Sequence, residues 1–94
     1  GATLTAANLS YANLQSVDLT NATLNSAKLT GANLSGASLN SADLSNADLS
    51  YADLRSAGLA RAKFSNTRLD SALWVDGQTC LRPSIDRCRT ATSP

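Results

Sequence analysis

The chain has 94 residues, 43% of them hydrophobic but only 4% aromatic, with a net charge of +1 and neither histidine nor methionine. That length fits one domain that needs an efficient core, and the near-neutral charge argues against a direct nucleic-acid binder or an acidic tail. The missing histidine excludes Ser–His and Cys–His nucleophile pairs, and no apolar run approaches the roughly 20 residues of a membrane-spanning helix.

From the first residues the chain repeats with a period of five. The repeat centres are Leu4, Leu9, Leu14, Leu19, Leu24, Leu29, Leu34, Leu39, Leu44, Leu49, Leu54, Leu59, Phe64, Leu69 and Trp74. Alanine stands two places before thirteen of these fifteen centres, Val17 and Thr67 being the exceptions, and the other places are mostly small and polar. A helix cannot use this pattern, because five residues advance about 500° and successive leucines would walk around it. A straight strand fails as well, since an odd repeat puts neighbouring leucines on opposite faces. Alanine and leucine within one pentad do share a face. Every pair points inward only if the chain bends in the polar stretch between pairs, and repeated bends of one sense make a β-solenoid.

The triplets Ala7-Asn8-Leu9, Ala12-Asn13-Leu14, Ala32-Asn33-Leu34, Ala42-Asp43-Leu44, Ala47-Asp48-Leu49 and Ala52-Asp53-Leu54 resemble the A(D/N)L signature of pentapeptide-repeat proteins. The resemblance covers residues 2–76 and implies an all-β fold, a right-handed quadrilateral β-helix with four pentads per coil. About four coils are then expected over residues 1–76, a column roughly 18 Å tall at about 4.8 Å per rung, with residues 77–94 as a short C-terminal cap and tail. Trp74 departs from the family's Leu or Phe centre, and Lys28, Lys63 and Arg68 depart from the Asp or Asn before it. The first pentad, Ala2-Thr3-Leu4, shows no cap of its own. Either a capping segment precedes it or the first coil is a stacking surface, which points to an end-to-end homodimer.

With twenty residues per coil, residues twenty apart stack. Asn8, Lys28, Asp48 and Arg68 form one outward column, Asp43 neighbours Lys63, Tyr11, Gly31 and Tyr51 share a corner column, and Asn46 lies below Asn66. Alternating charges on neighbouring rungs are expected to stabilise the stack modestly. Tyr11, Tyr51, Lys28, Asp48 and Arg68 form the candidate interaction surface for a protein partner; the structural alternative is that the tyrosines cover corner backbone and the charges are a solvated face.

DNA mimicry against a type II topoisomerase such as DNA gyrase, an activity the resemblance brings with it, needs sustained negative charge. Residues 1–54 carry Asp18, Asp43, Asp48 and Asp53 against Lys28, a net of −3, but residues 55–94 carry seven basic against three acidic residues, a net of +4. Asp43, Asp48 and Asp53 also fall on successive sides of one coil. A Thr-x-Thr ice-binding ladder starts at Thr3-Leu4-Thr5 but is interrupted by Asp43 and Lys63. Carboxylates five residues apart aim from different sides, which speaks against paired acid–base work, and no phosphate loop or metal-ligand spacing appears. Neither an enzyme nor a cofactor is expected.

Beyond Trp74 the register is lost. Val75-Asp76-Gly77-Gln78 has turn chemistry, Pro83 removes a ladder donor, and Ser84-Ile85-Asp86-Arg87 is expected to form a short helical turn with Ser84 as its N-cap. Cys80 and Cys88 are expected to be bridged, pinning Trp74 and Leu81 over the core; two free thiols are the alternative. Residues 90–94 should be a disordered tail. The bridge favours periplasm, thylakoid lumen or secretion over the cytoplasm. The reading is a rigid, non-enzymatic structural or protein-interaction module with no membrane or nucleic-acid partner, the topoisomerase-directed DNA mimic being the alternative.

Overall fold

The architecture follows from a corner made every fifth residue. Residues 1–91 are described by the computed structural model. Ala7 N donates to Leu4 O at 3.0 Å, Ala12 N to Leu9 O at 3.1 Å and Val17 N to Leu14 O at 3.2 Å, each closing a four-residue turn over two outward residues. The second of these is left-handed, with φ of 59° at Ala6, 63° at Tyr11, 60° at Ser16 and 62° at Asn21, as a type II turn requires at its third position. Between corners only three residues run straight, Ala–X–Leu, so each side contributes one bridge residue rather than a long strand.

Those bridges all share one offset. Thr3 pairs with Thr23, Thr23 with Asp43 and Asp43 with Lys63, all parallel, and the columns starting at Asn8, Asn13 and Asp18 repeat the same step of twenty. Four pentads therefore close one four-sided circuit. The sides are called first to fourth, after Thr3, Asn8, Asn13 and Asp18. Rungs are tied both ways: Leu4 N donates to Thr23 O at 2.7 Å, Ala6 N to Asn25 O at 3.0 Å, and Thr23 N to Ala2 O at 2.8 Å.

Inside, the apolar pairs make one shaft. Leu24, Leu29, Leu34, Leu39, Leu44, Leu49 and Leu54 are fully buried, and so are the alanines between them. Burial fades at the ends: Leu4, Leu9 and Leu14 below, and Leu59, Phe64 and Trp74 above, are only partly covered because a terminal rung has a neighbour on one side alone. Thr67 takes an alanine place and is fully buried; its Oγ1 donates to Leu44 O at 2.7 Å, so its hydroxyl is satisfied.

Ladder and turn together use four of the five N–H groups in each pentad. The fifth belongs to the residue after leucine, and the Asp or Asn before leucine serves it. Asp43 Oδ1 accepts from Ser45 N at 3.0 Å, Asp48 from Ser50 N at 3.0 Å, Asn33 from Ser35 N at 3.1 Å and Asn13 from Gln15 N at 3.2 Å. This is why the repeat favours a short side-chain acceptor at that place. Gly58 has none, and Ala60 N is served instead by Asn40 Oδ1, one circuit below, at 2.9 Å. A Cβ at residue 58 would lie 3.0 Å from that oxygen, so the glycine makes room for the substitute acceptor. Gly58→Ala should therefore lower stability by about 0.5–1 kcal/mol, the worth of one hydrogen bond. A Gly58→Ala melt at or above the parent's refutes this account.

After Trp74 the chain reverses. Gly77, at φ 85°, donates to Trp74 O at 2.9 Å, and Trp74 N donates to Gln78 O at 2.7 Å. The chain then runs back antiparallel over the last circuit, pairing Leu73 with Thr79 and Arg68 with Ile85. Ser71 N donates to Cys80 O at 3.0 Å and Leu69 N to Ser84 O at 2.7 Å, so the cap supplies acceptors that a further coil would have supplied. Ser84-Ile85 is extended and Asp86 turns with a positive φ of 69°, which corrects the expected helical turn: Ile85 pairs with Arg68 of the rung beneath, and Ser84 is buried, its Oγ donating to Leu81 O and accepting from Arg89 N. Ser84 N donates to Asp70 Oδ1 at 2.6 Å. The Arg82–Pro83 peptide is cis.

Cys80 and Cys88 are joined, with S–S 2.03 Å and Cα atoms 5.0 Å apart. Cys80 is buried, and Cys88 packs against the core. Trp74 lies edge-on to Phe64, ring centres 6.1 Å apart. Leu81 does not close the core: it is 44% exposed, because its neighbour Cys80 takes the inward place in this alternating segment. Of the expected disordered tail, residues 92–94 lie outside the described residues, and Ala91 forms a turn.

Candidate functional site

The bend every five residues brings the sequence-selected surface residues together. Lys28, Asp48 and Arg68 occupy successive rungs of the second side. Tyr11 and Tyr51 stand on the corner between the second and third sides, 79% and 60% exposed. Gly31, the rung between the tyrosines, is already covered: a Cβ there would lie 2.5 Å from the Tyr11 ring. Tyr11 therefore shields corner backbone and leaves no gap for a small guest.

The charges are wired mainly locally, and the expected cross-rung attractions, of Lys63 for Asp43 and of Arg68 for Asp48, are present as smaller contributions. Among the described residues the single ion pair is Arg55 Nη2 to Asp53 Oδ2, 2.7 Å, two residues apart in one coil. The carboxylates instead accept from the corner two residues on. Bonds from the side chain and backbone of Ser45 hold Asp43 below its ordinary pKa, with Lys63 adding a smaller attraction; Thr20 does the same for Asp18, and Arg55 for Asp53. At Asp48 burial opposes ionisation, but Ser50, Arg68 and Thr30 outweigh it and the pKa is again lowered.

An acid whose pKa is lower folded than unfolded contributes stability that is present above the unfolded value, about 3.9, and is lost as pH falls through the folded value. With Asp18, Asp43, Asp48 and Asp53 all shifted this way, the melting temperature should hold from pH 7 to about 5 and decline below about pH 4. A melt at pH 2.5 equal to that at pH 7 refutes the assignment.

Asparagine stacking also joins the rungs: Asn66 Nδ2 donates to Asn46 Oδ1 at 2.9 Å. The column continues into the cap, where Asp86 Oδ1 accepts from Asn66 N and residue 86 keeps the corner's positive φ, 69°. Asp86 was missed as a corner residue and expected in a helical turn, although the twenty-residue spacing from Asn46 and Asn66 was a signal for it; Asp70, which anchors Ser84, carried no such signal. Two shallow open depressions mark the surface. One, of about 420 Å³, is lined by Gln15, Ser16, Ser35, Gly36, Arg55 and Ser56 along a corner. The other, of about 590 Å³, is lined by Ala62, Phe64, Ser65, Asn66 and Asp86 beside the cap. No cluster of three or more potential metal ligands occurs among the described residues.

The coil geometry has relatives. The family profile for pentapeptide repeats matches residues 1–36 and 37–73. A pentapeptide-repeat protein, Rfr23, from the cyanobacterium Cyanothece 51142 is 43% identical over 74% of this chain, with a TM-score of 0.74. HetL, a pentapeptide-repeat protein from Nostoc sp. strain PCC 7120 involved in heterocyst differentiation regulation, is 35% identical over 82%, with a TM-score of 0.54. A further pentapeptide-repeat protein of Nostoc PCC 7120 is 39% identical over 74%, with a TM-score of 0.54. This chain spans 48%, 40% and 66% of those three chains. No match is found among curated proteins. With its five-residue corners, its twenty-residue rungs and these likenesses, the chain belongs to the pentapeptide-repeat family.

Proposed function

We propose that this chain is a rigid, non-catalytic scaffold for protein interaction, a right-handed quadrilateral β-helix of a little under four coils. The carrying observation is the unbroken step of twenty residues, which holds outward side chains in fixed columns about 4.8 Å apart. The second side and its corner, with Tyr11, Tyr51, Lys28, Asp48 and Arg68, make the binding surface. Exposed tyrosines supply large, rigid contact area at low entropic cost, as at other recognition surfaces. Photo-crosslinkers placed at residues 28, 51 and 68 of the folded protein, exposed to native extract, should converge on one partner. Capture should fall with Tyr51→Ala and Arg68→Ala. Crosslinks scattered among many proteins, or insensitive to both changes, overturn the surface assignment.

We also propose end-to-end pairing of two copies through the first coil. Among the described residues Thr3, Asn8, Asn13 and Asp18 have no backbone acceptor for their N–H groups, and Leu4, Leu9 and Leu14 are only half covered. End-to-end pairing there predicts a dimer at high concentration, and sedimentation showing monomer throughout removes it. The Cys80–Cys88 bridge supports residence outside the reducing cytosol, in periplasm, thylakoid lumen or secreted. Two free thiols in protein unfolded without reductant count against that location. The topoisomerase-directed alternative draws no support from this surface: Asp43, Asp48 and Asp53 sit on three different sides, and residues 55–94 carry a net +4. An unchanged gyrase supercoiling rate is the expected result.

A further inference from the structure

The cap covers half of the last circuit. On the second and third sides it supplies carbonyls to Leu69 N and Ser71 N. Among the described residues it does not reach the other two sides. One circuit lower, Leu39 N, Ser41 N and Leu44 N donate to Gly58 O, Ala60 O and Lys63 O at 2.8, 2.8 and 2.9 Å. Their equivalents above, on Leu59, Arg61 and Phe64, have no acceptor among the described residues, and Ala57 O and Ala62 O have no donor. Residues 57–64 thus present three donors and two acceptors in ladder order. Beneath them Leu59 and Phe64 are half-buried, and Phe64 lines the depression of about 590 Å³ beside the cap.

We propose that this edge receives an extended acidic peptide strand, which adds a rung across residues 57–64 and bends at the Arg61 corner. A strand is the occupant because unpaired ladder groups in register are satisfied by main chain, with alternate side chains reaching the apolar floor. The cap shows that the same circuit accepts an antiparallel segment, through Arg68 with Ile85 and Leu73 with Thr79. The acidic character rests on two observations. Residues 57–64 carry Arg61 and Lys63, both exposed, and no acidic residue. At the next corner round, the donor of Asn66 is already capped by a carboxylate, that of Asp86, in place of a carbonyl. The proposal rests on the interaction-scaffold reading and assigns it a second, chemically defined surface away from the tyrosine corner.

The test titrates the ¹⁵N-labelled, disulfide-intact chain with an eight-residue peptide of alternating valine and glutamate, blocked at both ends. Amide shifts and slowed hydrogen exchange should centre on Leu59, Arg61 and Phe64. Replacing glutamate by lysine in the peptide should abolish most binding. N-methylation of alternate peptide residues should remove it in one register and spare it in the other. Lys63→Gln, on an exposed side chain and without setting a second carboxylate against Asp43, should weaken binding about two- to fivefold, the range of an exposed charge pair. The proposal is overturned if those three amides do not respond at millimolar peptide. It is overturned equally if they are already protected in the free monomer, or if their protection grows with protein concentration alone, which would make a second copy the occupant. Shifts confined to the second side overturn this edge while leaving the scaffold reading standing.

Discussion

Ala47→Asp is expected to abolish the cooperative melt. Ala47 is 2% exposed, its N donates to Leu44 O at 3.0 Å, and its carbonyl accepts from Arg68 N at 3.0 Å, so its Cβ points into the shaft, shielded from solvent, with its own backbone groups already paired. A carboxylate there must either be buried charged or take up a proton, and it overpacks a column whose neighbours at that place are Ala27 and Thr67. The cost should exceed about 4 kcal/mol, comparable with the whole stability of a small domain. Asn13→Asp is the control. It adds the same charge at an exposed, outward place whose ladder neighbour is the uncharged Asn33 and whose side chain accepts from Gln15 N, and it should change stability by less than about 0.5 kcal/mol. A circular-dichroism melt of Ala47→Asp matching the parent would mean that the shaft is not the core.

The second large effect concerns the cap. Cys80 and Cys88 close a short loop, eight residues apart, whose removal should cost about 2–3 kcal/mol in the chain-entropy account. For a domain of this size that lowers the melting temperature by roughly 10–20 °C. The location of the loss matters more than its size. Cys80 O is the acceptor for Ser71 N, and Ser84 O, inside the bridged loop, is the acceptor for Leu69 N. In Cys80→Ala/Cys88→Ala, amide exchange should quicken first at Leu69, Ser71 and Trp74, while Leu29 and Leu34 in the middle rungs stay protected. Reducing the parent protein without changing its sequence should reproduce the pattern. Unchanged protection at Leu69 and Ser71 after reduction would show that the antiparallel pairing alone holds the cap.

The bridge and the burial gradient bear on each other. A leucine in a middle rung is sealed from both sides, and each such side chain contributes about 2 kcal/mol. Leu59 and Phe64 are sealed from below only. The cap therefore stabilises the sides it covers and leaves a softer flank at residues 57–64, where a partner strand would add the most.

The bend per repeat and the inward shaft were legible in the sequence because a period of five with Ala and Leu two apart has one backbone solution. The step of twenty was implied by the family resemblance and not by the period, and it put Lys28, Asp48 and Arg68 in one column and Asn46 under Asn66. What charge spacing could not tell was how each carboxylate spends its bonds. Asp43 faces Lys63 across the ladder, yet its closest partners are the N–H and hydroxyl of Ser45, because a short side chain reaches its own corner more readily than the next rung.

The repeat by itself determined the spacing of the bends and the inward residues, since these are local consequences of one pentad copied in register; that an Asp or Asn before leucine serves the corner N–H emerged from the structure. Only the tertiary structure decided the C-terminal end. Ser84–Arg87 carries a helix-capping signature, but the open rung below offered Leu69 N and Thr67 O, and Ser84 O and Asp86 N met them through an extended Ser84-Ile85 and a bend at Asp86 instead. Unpaired ladder groups outweigh a weak local preference, and at Leu59, Arg61 and Phe64 the ladder N–H groups have no acceptor among the described residues.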